Sequence, residues 1–363
     1  MTVKARFIQQ LKSNYPLIEQ NYVLNDLISD QLLSEKIVEL PISYKNQIRD
    51  EITGYQKLKK WSNTHLEEQY KNLGLEVPNN EAVCSSYDFH ITTENQLKLI
   101  EINTNASFLA LGIELYKTQN VNCDFNEVEL LKMFQIENGN EKLHQITIVD
   151  EKPEQQRLFI EFLLYKNIFE NNKIQCEIKD VSEVQNNYTG LIYNRSTDFF
   201  LNESKSAVLK ELFNSKKIIL SPNPYEYMLL ADKQRLIDWN NQSDVEKPSS
   251  LLRTYDLGLS DKDEIWSLRK NLFFKPKNSF GSKQAYKGAN ISRKTFDEFF
   301  GPTMIAQAYA QPAEIDVFGA MMKFDLRCFA YQGKLQLVIA RLYQGQTTNL
   351  RTEGGGFAVV DFR

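Results

Sequence analysis

Hydrophobic residues recur at helical spacing through the first 80 residues of the chain. The clearest stripe consists of residues three or four positions apart: Leu11, Tyr15, Ile18 and Tyr22. Pro41 interrupts the pattern, and a second helical stretch covers 43–72, just before Gly74. No residue set with evident chemistry lies in this region. The pattern therefore predicts an N-terminal helical segment over 1–80 that serves packing or an interface.

The hydrophobic pattern changes at Val83. Two strand-like stretches, 83–91 and 97–103, flank a polar turn, and a helical pattern follows over 108–117. Between 145 and 220, short apolar runs alternate with helical patterns. The predicted strands are 146–149, 174–178, 190–193 and 217–220, and the predicted helix runs from Pro153 to Phe169. This alternation is typical of an open α/β unit with a parallel sheet.

The last part of the chain, 221–363, is richer in strand patterns. The predicted strands are 272–276, 304–309, 322–331 and 335–343. The fold class predicted for the whole chain is therefore mixed α/β (α+β). A dinucleotide site is not supported, because no predicted strand is followed by the Gly-x-Gly-x-x-Gly turn.

Composition narrows the function classes. The chain has 363 residues, 25% of them charged, and a net charge of -4, so a nucleic-acid partner is not expected. No apolar run approaches the ~18 residues of a membrane span, so a membrane partner is not expected. The cysteines are expected to be free thiols, which fits a cytoplasmic protein. The four cysteines and three histidines are scattered, which favours neither zinc nor a disulfide scaffold. Carboxylates, amides, lysines and arginines remain as carriers of chemistry.

The predicted strand 97–103 carries a first candidate site. Glu101 and Asn103 point to the same face, because side chains alternate along a strand. One carboxylate and one amide oxygen can bind a hard cation, and Asp88 on the preceding strand could reach the same ion. The alternative is a polar sheet face near a turn.

A second candidate begins at Lys275, at the end of an apolar strand. The loop that follows contains small residues with free backbone amides: Ser279, Gly281 and Ser282. A lysine with such a loop can hold nucleotide phosphates. The order of residues is not that of a P-loop, and the alternative is a basic strand end before a hairpin.

A third candidate lies close to the end of the sequence. Asp325 and Arg327 share a strand face, while Arg341 and Arg351 flank a loop rich in amides and hydroxyls. Two arginines near a glycine triplet can clamp carboxylate or phosphoryl oxygens in bidentate fashion. The alternative is a set of surface salt bridges beside a glycine-rich turn. Together the three candidates supply what phosphoryl transfer needs, namely a metal site, cations and positioning.

These segments resemble the ATP-grasp superfamily, and within it the glutathione synthetases. The resemblance rests on Ile-Glu-Ile-Asn-Thr-Asn around Glu101, Phe-Phe-Lys-Pro-Lys around Lys275, and Asn-Leu-Arg-Thr-Glu-Gly-Gly around Arg351. It implies two Mg²⁺ ions on Asp88, Glu101 and Asn103. It also implies ATP contacts from Lys233, Lys275, Ser279, Gly281, Ser282, Gln307, Asp325, Asn349 and Gly355, and catalytic roles for Arg327, Arg341 and Arg351.

The order of the motifs is similar to that of the circularly permuted members, eukaryotic-type glutathione synthetase and glutathionylspermidine synthetase. The resemblance implies metal-binding strands at 81–120, an α/β domain at 121–222 preceding the ATP-grasp domain at 223–363, and the N-terminal segment already described. One departure is Ser86, where relatives often place an arginine two residues before the metal-binding aspartate. A second is Glu353, at a position where some relatives have lysine.

The implied activity is an ATP- and Mg-dependent ligase that joins a carboxylate to an amine through an acyl phosphate. The expected partners are small-molecule or peptide substrates, and a homodimer is compatible with the pattern. An ATP-grasp kinase and a non-catalytic nucleotide-binding scaffold remain as alternatives. The sequence does not identify the acid or the amine.

Overall fold

In the computed structural model, which describes residues 1–278 and 284–363, the strands form three separate sheets. The large sheet has the strand order β1-β15-β14-β13-β2-β3, with β12 paired to β13. Its members are β1 (Val38–Leu40), β2 (Ser85–Ile91), β3 (Leu97–Asn103), β12 (Glu314–Val317), β13 (Ala320–Tyr331), β14 (Lys334–Tyr343) and β15 (Gly356–Phe362).

The second sheet is parallel and has the order β5-β4-β6-β7. It comprises β4 (Gln145–Asp150), β5 (Gln175–Asp180), β6 (Gly190–Asn194) and β7 (Ile218–Ser221). This confirms the parallel sheet predicted from the alternating pattern. The helix predicted from Pro153 is instead divided, because a 3₁₀ turn at Pro153–Gln155 precedes the α-helix that begins at Phe159.

The third sheet is small and antiparallel, with the order β10-β9-β11-β8. Its strands are β8 (Thr254–Asp256), β9 (Leu272–Pro276), β10 (Tyr286–Lys287) and β11 (Met304–Ala308). Apolar residues beneath it, including Phe274 and Phe296, form a core of their own.

Helices cover the sheets. They are α1 (Val3–Asn14), α2 (Pro16–Asn21), α3 (Leu24–Leu27), α4 (Ile42–Lys71), α5 (Leu109–Gln119), α6 (Glu127–Glu137), α7 (Phe159–Asn171), α8 (Ala207–Asn214), α9 (Pro224–Glu226), α10 (Gln234–Asn241), α11 (Lys262–Leu268) and α12 (Arg293–Phe299). The long helix α4 buries residues three or four positions apart, from Ile48 to Tyr70, which is the stripe that a helix packed on a sheet requires. Among the described residues, no helix combines the length and the apolar character needed to cross a membrane.

The N-terminal segment is not wholly helical, contrary to the prediction. Val38–Leu40 forms an edge strand that pairs in parallel with Val360–Phe362. Helix α1 packs on α5, and its buried residues Phe7 and Leu11 belong to the same core as Phe329 and Val359 of the large sheet. The first 80 residues are therefore part of the main body, because they close one edge of its large sheet.

The large sheet brings together strands that are far apart in sequence. Strand β2 pairs with β13, so Asp88 lies opposite Arg327. Strand β3 pairs with β2, which places Glu101 opposite Asp88, and β14 pairs with β13, which places Arg341 opposite Asp325. The strand of Glu101 thus lies in the same sheet as the strands of Arg327 and Arg341, as the motif order predicted.

Candidate active site

A cavity of about 430 Å³ lies where the large sheet, the small sheet and the parallel-sheet unit meet. Ten of the residues predicted from the sequence line it: Asp88, Glu101, Asn103, Lys233, Lys275, Gln307, Asp325, Arg327, Arg341 and Asn349. They come from strands β2, β3, β9, β11, β13 and β14, from the loop after β14, and from the residue that precedes helix α10. Residues that are scattered over the sequence therefore meet in one place.

Asp88 lies at the centre of a cluster of hydrogen-bond donors. Arg327 donates from Nε and Nη2 at 3.1 and 2.8 Å, and Arg341 donates from Nη2 at 2.8 Å. The Ser86 hydroxyl and the Asn103 amide add bonds of 3.0 and 3.2 Å. Burial opposes ionisation of Asp88, but the two arginines outweigh it and hold its pKa at about 2. The carboxylate is thus ionised, and its lone pairs are fully used.

This arrangement accounts for the departure at Ser86. The buried serine carries no charge and offers Asp88 only a hydrogen bond, yet Asp88 still faces a guanidinium. That guanidinium belongs to Arg327 on the neighbouring strand. The positive charge that the resemblance led us to expect on the same strand is therefore supplied from across the sheet.

Asp325 forms the second acidic anchor of the cavity. It accepts a bond of 2.6 Å from Arg341 Nε and a further bond from the Thr348 hydroxyl. Burial works against the charge of Arg341, but Asp325 and Asp88 together raise the pKa of its guanidinium. Arg341 is consequently fixed between two carboxylates, with a side chain that is 13% exposed.

Glu101 and Asn103 occupy the neighbouring strand. The Asn103 amide donates to Glu101 at 3.4 Å as well as to Asp88, so the three predicted metal ligands do lie side by side. Both residues are half-buried, whereas Asp88 is 1% exposed. The ion pairs of the described residues include none from Glu101. Its carboxylate is accordingly the one in this trio best placed to meet a ligand.

The small sheet contributes a lysine and an amide. Lys275 is buried and donates to the backbone oxygen of Ile100 at 2.8 Å, so it bridges the small and large sheets. Burial lowers the pKa of Lys275 to about 8, against the attraction of Glu101. Gln307 is 2% exposed, and its Nε2 has no hydrogen-bond partner among the described residues. A buried donor without a partner at a cavity wall indicates a place for an acceptor on a ligand.

Two predicted residues do not line the cavity. The side chain of Arg351 is exposed, and the backbone N–H of this residue donates to Asn349 Oδ1. Gly355 and Gly356 meet the protein's own backbone, since a Cβ atom would come within 2.6 Å of Leu342 O at the first and of Leu32 O at the second. Gly355 and Gly356 thus allow two segments of the chain to pack closely against each other. The sequence had suggested instead that the close approach was to a ligand. Ser279, Gly281 and Ser282 lie outside the described residues.

Sequence reasoning missed several residues of the cavity wall. His90 donates from Nδ1 to Ala310 O at 2.8 Å, which leaves Nε2 to accept from the Tyr343 hydroxyl at 3.4 Å. Burial lowers the pKa of His90, so its ring is neutral. Arg157 reaches the cavity from the parallel-sheet unit. Knowledge of the strand pairing would have been needed to place His90 in the cavity wall. No local sequence pattern predicts that Arg157 lies there.

The architecture of the chain is similar to that of two solved structures. A glutathione synthetase-like effector (GSS30) from Globodera pallida, in its apo form, matches with a TM-score of 0.55 over 91% of this chain and 90% of that chain, at 10% identity. The chain has a glutathione synthetase-like fold. A putative gamma-glutamylcysteine synthetase from Methylobacillus flagellatus KT also matches, with a TM-score of 0.47, 10% identity and coverage of 82% and 83%. No protein-family profile and no curated protein matches the sequence.

Proposed function

We propose that the protein is an ATP- and Mg-dependent carboxylate–amine ligase that acts through an acyl phosphate. One observation carries the proposal. A single cavity combines oxygen ligands on Glu101 and Asn103, a buried lysine at 275, and the anchored guanidinium groups of Arg327 and Arg341. This set of groups suits the transfer of a phosphoryl group and the stabilisation of the charge that develops on it.

The small sheet fits ATP. The buried Lys275 offers a point charge to phosphate oxygens, and Lys233, which also lines the cavity, lies near enough to lower the pKa of Lys275. Gln307 presents its unpartnered amide donor in the same wall, where it can bind a nitrogen acceptor of the base. Phe273 and Tyr309 provide apolar surface for the ring. ATP would therefore lie against β9 and β11.

The donor set also fits Mg²⁺, which is usually bound by one or two carboxylates together with substrate phosphates. Glu101 and Asn103 would hold the ion, and Asp88 would join them only by giving up one of its arginine bonds. No cluster of three or more Asp, Glu, His or Cys side chains suited to a metal occurs in residues 1–278 and 284–363, so phosphate oxygens must complete the site. When bound, the metal supplies Lewis-acid stabilisation of the phosphoryl oxygens.

The proposed reaction has two steps. A carboxylate oxygen of the acid attacks the γ-phosphorus of ATP, so that an O–P bond forms, the bond to the β-phosphate oxygen breaks, and ADP leaves. The amine nitrogen then attacks the acyl carbon, the C–O bond to phosphate breaks, and a proton passes to water. Arg327 and Arg341 would bind the transferred group, since Asp88 and Asp325 fix their orientation before substrate arrives.

We further propose that the ATP-grasp segments occur in circularly permuted order. The support is topological, because the hairpin 85–103 inserts beside β13 in the large sheet instead of forming a unit of its own. In this arrangement the metal-binding strands precede the ATP-binding strands in sequence.

The test is a search for products. Purified protein with ATP and Mg²⁺ is incubated with pools of amino acids, peptides and polyamines, and ADP, phosphate and amide are measured. A ligase releases ADP and free phosphate in equal amounts with an amide. A phosphorylated acceptor without free phosphate would instead establish a kinase, and ATP binding without turnover in any pool would favour a scaffold.

A matched pair of variants ties the activity to the site. Glu101→Gln should abolish the Mg²⁺-dependent release of ADP, because the variant loses the carboxylate that meets the ion. Glu94→Gln, on the exposed turn of the same hairpin, should behave like the parent protein. Full turnover in Glu101→Gln would refute the metal assignment.

A further inference from the structure

The loop 344–352 forms part of the cavity wall, since Thr347, Thr348, Asn349 and Leu350 all line it. Most of its hydrogen bonds lead back to its own sheet or to itself. Lys323 donates to Gly345 O, Thr348 donates to Asp325, and Asn349 donates to Gln344 O. These bonds fix the loop relative to β13 and β14, but they do not reach the opposite wall of the cavity.

Arg157 provides the bond that does. It lies between the 3₁₀ turn at Pro153–Gln155 and helix α7, on the parallel-sheet unit, and its Nη2 donates to the backbone oxygen of Leu350. Both partners line the cavity, so the bond spans its edge. Within the described parts of the chain, it is the one hydrogen bond that joins this loop to the parallel-sheet unit.

The charge around Arg157 shows that the side chain is not held there by an acid. Arg327 and Arg341 each pair with carboxylates, whereas no ion pair of the described residues involves Arg157. Partial burial and the nearby Arg351 both lower the pKa of its guanidinium, although the residue is largely exposed. Its contact is therefore not an ion pair but the hydrogen bond to the Leu350 carbonyl, which ties the side chain to the loop.

We propose that Arg157 is a positioning residue that holds the loop 344–352 against the parallel-sheet unit and so closes the cavity to water. The closure itself follows from the contact geometry; its consequence for chemistry rests on the proposed function. An acyl phosphate reacts with water as well as with an amine, so an open wall would let ATP be consumed without amide formation. Arg157 would then determine the coupling of the two steps and not the rate of the first.

Hydrogen–deuterium exchange on the full chain tests the closure without any substrate. The variant Arg157→Met keeps the length of the side chain and removes its donors. The loss of one hydrogen bond to a charged donor should speed exchange in peptides covering 346–351 about 10-fold. Arg157→Lys retains a donor and should restore most of the protection. Lys152→Met, which removes an exposed cation five positions earlier, is the matched control and should leave the loop unchanged.

Unchanged exchange at 346–351 in Arg157→Met would overturn the proposal, as would equal acceleration in the control. Acceleration throughout the chain would show a general loss of stability, and Arg157→Lys then decides, because restored protection supports the specific contact and absent restoration refutes it. Once an acid and amine are known, Arg157→Met should raise the ratio of ADP to amide. If no ligase activity is found but loop exchange responds as expected, the proposed function fails while the closure stands.

Discussion

Arg327 donates two hydrogen bonds to the carboxylate of Asp88, although the two residues lie 239 positions apart in sequence. Their side chains are 12% and 1% exposed, and Arg341 shares the same carboxylate. Removing the Asp88 carboxylate would leave the largely buried guanidinium groups of Arg327 and Arg341 without their shared partner. We therefore expect Asp88→Ala to lower the free energy of unfolding by about 3–5 kcal/mol, measured by urea denaturation.

The matched control is Asp124→Ala. This aspartate also pairs with a cation, Lys45, but its side chain is 80% exposed. Water screens such a pair, so the free energy of unfolding should hardly change. Similar losses in the two variants would contradict the view that Asp88 is the anchor of the arginine cluster.

Gln307 should show opposite effects on stability and on binding. Its buried Nε2 lacks a partner among the described residues, and a buried donor that stays unpaired typically costs about 1–3 kcal/mol. Gln307→Leu should raise the melting temperature of the unliganded protein and weaken ATP binding about 10-fold or more. Calorimetric titration with a non-hydrolysable ATP analogue measures the second effect. Gln336→Leu, which removes another buried amide group with an unpartnered atom, should leave ATP affinity unchanged, because Gln336 does not line the cavity.

Lys275 should make ATP binding depend on pH. Burial lowers its pKa to about 8, so the free protein carries this charge below that pH and loses it above. ATP affinity should therefore fall by up to about 10-fold between pH 7 and pH 9, in proportion to the protonated fraction. In Lys275→Met the affinity should be low at both pH values. Lys277→Met, whose parent side chain pairs with Asp256 at 2.9 Å, should keep the slope of the parent protein. A parallel slope in Lys275→Met would assign the titration to another group.

Glu226 should make the protein less stable as the pH rises. A salt-bridged surface acid, whose pKa is lowered, has the opposite effect. Burial raises its pKa to about 7, because the attraction of Lys59 only partly offsets it and the nearby carboxylates Glu81 and Glu137 add to the rise. The folded state then binds a proton that the unfolded state releases, so this group makes the protein less stable as pH rises from about 4.5 to 7. Glu226→Gln should remove about 2–3 kcal/mol of that change. The measurement is the difference in unfolding free energy between variant and parent protein at pH 5 and pH 7.5. A constant difference would refute the assignment.

The sequence predicted those parts of the fold that depend on local pattern. Helix α4 begins and ends within one residue of the predicted 43–72, because its apolar stripe repeats at helical spacing along its whole length. Strand β3 has the predicted bounds 97–103, since alternation and a polar turn define it. Strand β1 was missed, because three residues carry too little pattern and the strand exists only through its pairing with β15.

The residues of the site likewise divide into those that local pattern predicts and those that depend on long-range contacts. Glu101 and Asn103 could be found from spacing on one strand, and Asp88 from the neighbouring one. The engagement of Asp88 by arginines on β13 and β14 depends on pairing over more than two hundred positions, which no local pattern contains. The carbonyl contact of Arg157 depends on how one unit meets another. The glycine triplet was linked to a ligand because close approach can be inferred from glycine, whereas the approaching partner cannot.

The pairing of β1 with β15 constrains the order of events during synthesis. Val38 meets Val360, so its partner is made about 320 residues later, a delay of roughly 15–60 s at typical translation rates. The hairpin 85–103 likewise waits for β13, whose Leu326 pairs with Phe89. Until those partners are made, both strand edges lack the strands with which they pair in the folded structure. The cluster of arginines around Asp88 thus cannot form until β13 and β14 have been made, and the nascent chain should depend on holdase chaperones to keep those edges apart from other chains.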